Sequence, residues 1–190
     1  PPFLMDKQLI LACHFTGIYD VNRNTTLKDD DYSIVQEWAD SIAALKLKGI
    51  IFHNNFSTET CLKYQNEHLA FIKTDHNPRF NPNVYRYLVY RNFLRTRSPA
   101  PESVFVTDIA DVVVLNNPFI HPFFKANPGA LFCGDEPKPL QNEWMDAHSA
   151  HLRSKIADYA AYEATFKAAP LLNCGVIGGN IEVMEAFIEK

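Results

Sequence analysis

Six short apolar runs recur along this 190-residue chain, each about the length of one strand and most followed by a segment with helical spacing or a helix-start signal. They are "QLILACHF" (8–15), "IIFHNN" (50–55), "HLAFIKT" (68–74), "SVFVT" (103–107), "GALFCG" (129–134) and "LLNCGVIGG" (171–179). Continuous rather than alternating apolarity implies burial on both faces, which a strand obtains in a parallel sheet covered by helices. The alternation therefore predicts an α/β fold with a mostly parallel central sheet flanked by helices.

The intervening segments agree. In "DDDYSIVQEWADSIAALKLKG", Ile34, Val35, Trp38, Ile42 and Leu45 fall at helical spacing, with aspartates before them. Lys46 and Lys48 are placed in the last turn and Gly49 at the cap. A short helix is expected near "STET". "NPNVYRYLVYRNFLRTR" offers Asn81 as N-cap and Pro82 at the first helical position. "NEWMDAHSAHLRSKIADYAAYEATFK" reads as a long polar helical region with a break, and "NIEVMEAFIEK" as a last helix.

One domain over residues 1–190 is the expectation at this length. The chain opens at Pro1 without a methionine and stops inside a helix, so trimming at one or both ends is expected. A net charge of −4 supplies no basic field and disfavours nucleic acid as a partner. No apolar run reaches the roughly 18 residues of a membrane-spanning helix. A cytoplasmic location is expected, or membrane association through a segment outside this chain. Cys13, Cys61, Cys133 and Cys174 are scattered without CxxC spacing, three of them inside apolar runs. They read as reduced core thiols rather than a disulfide framework or zinc site.

In open parallel sheets, ligands bind beyond the carboxyl ends of the strands. The polar residues there are Thr16, His53, Asn54, Asp108, Asp111, Asp135, Glu136 and Asn173. Asp108 and Asp111 stand out, because two carboxylates interrupt the apolar stretch "SVFVTDIADVVVL". Residues at i and i+3 do not share a strand face, so for both to converge the chain must leave extended geometry at Ile109 and Ala110. Buried carboxylates need a cation or several donors. Mg²⁺ or Mn²⁺ suits two carboxylates plus substrate phosphates. The simpler alternative has one aspartate capping a turn and the other pairing with an arginine.

"VFVTDIADVVVLNNPF" resembles the metal-binding segment of GT-A-type nucleotide-diphospho-sugar glycosyltransferases, in which a strand ends in a D-x-D or D-x-x-D pattern followed by Pro-Phe. "LLNCGVIGG" is similar to their Asn-x-Gly-x-x-x-Gly strand, and "YRYLVYRNFL" to the helix before the D-x-D strand. The three occur in the family's order. The resemblance implies a GT-A-like (Rossmann-like) fold and roles by position. Asp108 and Asp111 would bind the metal, Asp108 also the donor, and Arg86 the donor. Asn173 and Gly175 would line the sugar pocket, and Thr16 would contact the nucleotide. The spacing here is D-x-x-D rather than D-x-D, and the chain ends before the C-terminal histidine ligand of many relatives.

The expected function is a metal-dependent glycosyltransferase using Mn²⁺ or Mg²⁺. It would move a sugar from a nucleotide diphosphate, a UDP-sugar, to a glycan or other acceptor. Asp135 or Glu136, in "GDEPKP", would act as base or bind an acceptor hydroxyl. The alternatives are a Mg²⁺-dependent phosphotransferase or phosphohydrolase, and a non-catalytic nucleotide- or glycan-binding domain. Among other features, His148 and His151 read as surface histidines, and Arg91, Arg95 and Arg97 as solvated helix charges. Trp144 reads as packing at a helix start, and the phenylalanines of "NNPF" and "HPFF" as core under a loop. "TGIYD" lacks the glycines of a dinucleotide fingerprint.

Overall fold

A computed structural model describes residues 5–20 and 24–190, apart from the side chains of Asp20 and His148. In chain order the elements are β1 Gln8–His14, β2 Tyr19–Asp20, β3 Thr25–Thr26, α1 Ser33–Ala44, β4 Gly49–His53, α2 Thr58–Tyr64, β5 Leu69–Lys73 and α3 Pro82–Thr96. There follow β6 Ser103–Thr107, a 3-10 turn Pro118–Ile120, α4 Pro122–Ala126, β7 Phe132–Pro139, α5 Glu143–Lys155, α6 Tyr159–Phe166, β8 Pro170–Asn180 and α7 Ile181–Ile188. The chain divides into two compact units. One runs through Phe132 and resumes at Ile177–Lys190; the other is Cys133–Val176.

Six strands form one sheet in the order β5-β4-β1-β6-β8-β7, while β2 and β3 make a separate hairpin. β1 pairs in parallel with β4 and β6, and β4 pairs in parallel with β5. The α/β reading with a mostly parallel sheet flanked by helices is what the structure shows. Alternate residues of β1 feed the two faces, as strand geometry requires. Leu9, Leu11, Ile50, Phe52, Val104 and Val106 pack with Val89, Tyr90 and Leu94 of α3 and Met184 of α7. Val35, Trp38, Ala39 and Ile42 are the buried stripe of α1. Fully burying side chains of this kind contributes about 1.5–3 kcal/mol each, so both faces drive assembly.

The helix starts follow their signals. Asn81 accepts a hydrogen bond from Asn83 N–H with Pro82 at the first position, and Ser57 caps α2 from Thr60 N–H. The end of α1 differs from expectation. The helix closes before either lysine: Lys46 N–H donates to Ala43 O at 3.0 Å and Leu47 N–H to Ile42 O at 3.0 Å. This is a Schellman closure whose left-handed residue is Lys46, with φ 54°. Gly49 instead opens β4, where an added Cβ would lie 2.9 Å from the Trp38 ring. Lys46→Gly is expected to stabilise the protein by about 1 kcal/mol, because left-handed backbone costs an L-residue that much. Chemical denaturation of the two forms checks this; equal midpoints contradict it.

β7 also departs from expectation. Residues 129–131 turn away from α4, with Ala130 N–H donating to Asn127 O at 3.1 Å. The strand runs instead through Phe132–Pro139, so Asp135 and Glu136 lie inside it rather than in a loop beyond it. An outermost strand needs no continuous apolar run and tolerates proline, here Pro137 and Pro139.

Three further expectations are corrected. Cys133 and Cys174 are exposed rather than core, while Cys13 and Cys61 are partly buried. Arg97 is buried, donating to Asp6 O at 3.3 Å at the end of α3. Phe119 and Phe124 are core, but Phe123 is exposed. The break in the long helical region falls between α5 and α6, and Arg153 joins the two by donating to Glu163 Oε2 at 2.6 Å and Asp146 Oδ1 at 3.1 Å. Among the described residues, no helix is long and apolar enough to cross a membrane.

Candidate functional site

β1 and β6 are neighbours, so their carboxyl ends emerge side by side, and a cavity of about 380 Å³ opens there. It is lined from β1 and the following loop by Cys13, His14, Phe15 and Ile18, and from the start of α3 by Asn81, Pro82, Asn83 and Arg86. All four residues Asp108, Ile109, Ala110 and Asp111 line it too.

The carboxylate turn is built by α1. β6 ends at Thr107, whose hydroxyl accepts from Trp38 Nε1–H at 2.9 Å. Beyond the turn, Val114 N–H donates to Ser41 Oγ at 3.1 Å. Between these two anchors the chain bends at 109–111, and Ile109 is buried. That inward anchor leaves Asp108 half-buried and Asp111 exposed, both on the cavity. The break at Ile109 and Ala110 occurs where the sequence placed it. "VVVL" does not continue the strand: Val112–Leu115 is irregular, with Val113 and Leu115 exposed.

Arg86 Nη1–H donates to Asp108 Oδ1 in an ion pair. The arginine is 7% exposed, and its guanidinium lies 5.2 Å from the Tyr87 ring centroid. Burial alone would lower its pKa, but the charge of Asp108 and then the Tyr90 and Tyr87 hydroxyls outweigh that and raise it above its ordinary value. Burial pushes the Cys13 thiol up to about 12, only partly offset by the Tyr90 hydroxyl and Arg86. Tyr90 is likewise held well above its usual range, burial first. Cys13 thus lines the cavity as a neutral thiol, with the Tyr90 phenol buried behind it. Among the described lysine, arginine and carboxylate side chains that line the cavity, one cation faces two carboxylates.

The start of α3 adds a dipole but few donors. Pro82 has no N–H, Asn83 N–H donates to the Asn81 side chain at 2.8 Å, and Val84 and Tyr85 N–H donate to Asn81 O at 3.0 and 2.9 Å. A phosphate at this wall would therefore rely on the guanidinium.

The remaining sequence candidates lie elsewhere. Thr16 is buried outside the cavity wall: its N–H donates to Asn54 Oδ1 at 3.0 Å, and its carbonyl accepts from Asn54 Nδ2 at 2.9 Å and Asn55 Nδ2 at 3.2 Å. Asn54 is thus a brace for the loop after β1. Gly17, at φ +70°, turns that loop against Asn55 and Asp29. In the second unit, Asn173 joins two neighbours, donating to Glu136 Oε1 at 2.5 Å and accepting from Gly175 N–H at 2.5 Å. Asp135 is exposed on β7, as is Trp144 at the start of α5. Of the two histidines read as surface residues, His151 is exposed and the His148 side chain lies outside the described residues.

His53, the other strand-end candidate, is buried. Its Nδ1 accepts from Phe56 N–H at 3.1 Å and Nε2 faces Cys61 Sγ at 3.5 Å. Burial, then Lys73, lower its pKa from 6.5 to about 4. The native state therefore resists a proton that the unfolded chain takes up near 6.5, so this residue's stability contribution is full above pH 6.5 and lost as pH falls toward 4. The difference in unfolding free energy between wild type and His53→Gln is expected to shrink across that window. A pH-independent difference contradicts it.

Sequence reasoning missed the apolar wall of Phe15, Ile18, Tyr19 and Leu27. Its only signal was a polar, turn-rich segment after β1, too short in apolar residues to suggest a pocket.

The donor set bears on a metal. Among the described residues no three His, Cys, Asp or Glu side chains converge, so an all-protein metal cage does not fit. Two carboxylates on one cavity do fit a hard cation that draws its other ligands from water or phosphate.

No protein-family model matches the chain, and no curated protein matches it in sequence. Solved structures do. One is the galactosyltransferase LgtC in complex with donor and acceptor sugar analogs, at TM-score 0.51 and 14% identity, covering 94% of this chain and 59% of that one. Another is 4-diphosphocytidyl-2C-methyl-D-erythritol synthase from Anaerococcus prevotii DSM 20548, at TM-score 0.52 and 9% identity, covering 97% of this chain and 76% of that one. The chain thus spans 59% of the length of the galactosyltransferase it matches. At such identities the likeness establishes the fold, which is GT-A-like: a Rossmann-like, mostly parallel sheet flanked by helices.

Proposed function

We propose that the cavity beyond β1 and β6 holds a nucleotide-diphospho-sugar, a UDP-sugar, and that the protein transfers its sugar to a hydroxyl of a glycan or other acceptor. The observation that carries this reading is the convergence of Arg86, Asp108 and Asp111 on one cavity. Its volume lies within the usual ligand-pocket range of about 300–1,000 Å³.

Charge decides how a diphosphate is accommodated. Among the described lining residues, one guanidinium faces two carboxylates, a balance that does not favour an anion. Mn²⁺ or Mg²⁺ held by Asp111 and Asp108 reverses that balance and supplies positive charge for the leaving diphosphate. Arg86 supplies a planar fork suited to phosphate oxygens. Phe15, Ile18, Tyr19 and Leu27 provide apolar surface for a base or ribose. In the transfer, the bond from the anomeric carbon to the diphosphate oxygen breaks and one to the acceptor oxygen forms. The acceptor oxygen gives up its proton to a general base as that bond forms, and UDP leaves. Thr16 contributes by holding the loop above β1.

The likeness to a diphosphocytidyl synthase favours a second reading, in which the site forms a nucleoside-diphosphate linkage. Titration of UDP by calorimetry, with and without Mn²⁺, tests the shared binding step. Saturable binding that needs Mn²⁺ is expected; no binding of UDP or any other nucleoside diphosphate overturns the proposal. Released UDP then identifies sugar transfer, and released pyrophosphate the second reading.

A further inference from the structure

The proposed donor site holds its guanidinium against one of its own two carboxylates. Arg86 is nearly buried, with its stem in α3 and its Nη1–H on Asp108. Asp108 keeps 39% of its side chain exposed on the cavity, and Asp111 is more open still. A cation seeking Asp108 must compete with the guanidinium, and a diphosphate seeking Arg86 must compete with the carboxylate. The first-turn N–H groups of α3 are already bonded or absent, so they offer the phosphate no substitute.

We propose that the Arg86–Asp108 ion pair is an internal latch that couples hard-cation and diphosphate binding. A diphosphate draws the guanidinium from Asp108 and opens that carboxylate to the cation; a cation on Asp108 breaks the same bond and lessens what the diphosphate must displace. The coupling is reciprocal, because both ligands compete with the same internal bond. This inference rests on the donor reading above and adds how the two ligands enable each other.

The test measures Mn²⁺ affinity by electron paramagnetic resonance of the free ion, with and without UDP, and UDP affinity without metal by calorimetry. For the wild type, UDP is expected to tighten Mn²⁺ by about 10–100-fold. Arg86→Gln is expected to bind Mn²⁺ alone about tenfold tighter than wild type, with the tightening by UDP reduced about tenfold, the direct phosphate–cation contact remaining. Asp108→Asn, which loosens the latch from the other side, is expected to bind UDP without metal about tenfold tighter. Circular dichroism checks the fold of each variant. Should Arg86→Gln fail to fold, Arg86→Lys keeps the charge without the fork and is expected to show intermediate coupling. If UDP binds but Arg86→Gln leaves Mn²⁺ affinity and its UDP dependence unchanged, the latch is overturned and the donor reading stands. If Asp108→Asn gains no metal-free UDP affinity, the latch is likewise overturned. If the wild type binds no nucleoside diphosphate at all, the donor reading falls and the coupling with it.

Discussion

Asp111→Ala is expected to weaken Mn²⁺-dependent UDP binding about a hundredfold, a loss of about 2.7 kcal/mol. Arg86 already holds Asp108, whereas Asp111 lies on the same cavity with its side chain exposed, so a cation reaches Asp111 without displacing that guanidinium. Removing it leaves one neutralised carboxylate facing the diphosphate. The side chain is exposed, so folding is expected to change by no more than about 0.5 kcal/mol. Calorimetry and thermal unfolding of the same samples separate these two effects. Intact Mn²⁺-dependent UDP binding in the variant would remove Asp111 from the site. A large fall in Tm would mean that its role is structural.

Gly178→Ala is expected to be the most damaging small change in the fold. A Cβ at this position of β8 would lie 2.1 Å from Phe105 Cδ1. The ring cannot swing clear, because Phe105 is buried between Phe119, at 5.5 Å centroid distance, and Phe124, at 5.7 Å. Either the ring leaves its rotamer or β8 shifts against β6. Such overpacking costs about 3 kcal/mol, and about 6–12 °C in Tm for a chain of this size. Because Phe105 lies three residues before Asp108, the strain also reaches the cavity. A Tm within about 2 °C of wild type would show that the core yields more easily than its packing indicates.

What was legible in the sequence was local. The cap at Asn81, the helix start near Ser57, five of the six strand-forming runs and the break between Asp108 and Asp111 depend on a few neighbouring residues. Strand periodicity required only that the chain leave extended geometry at Ile109 and Ala110 if both carboxylates were to converge; that both line one cavity is seen in the structure. What was not legible depended on long-range packing. Gly49 looked like a helix cap, but its smallness makes room for Trp38, eleven positions earlier in the sequence. Lys46 took the left-handed turn that glycine usually takes. Asp135 and Glu136 looked like loop residues because "GDEPKP" is polar, yet an outermost strand can be polar and still pair. The α1 side chains Trp38 and Ser41 hold the carboxylate turn from 69 and 73 residues away, separations no local pattern records. Arg86 was noticed through family resemblance, and the simpler alternative had one aspartate pairing with an arginine; that the pair is Arg86 with Asp108 was visible only in three dimensions.

The most direct measurement is a crystal of this protein soaked with UDP and Mn²⁺, read at a wavelength where manganese scatters anomalously. The expected result is a single manganese peak in the cavity beyond β6. It should lie within hard-cation coordination distance, about 2.0–2.6 Å, of oxygens from both Asp108 and Asp111, with UDP phosphate oxygens completing the shell. A peak that touches neither aspartate, or UDP bound with the cavity free of manganese, contradicts the central claim that these two carboxylates share one cation.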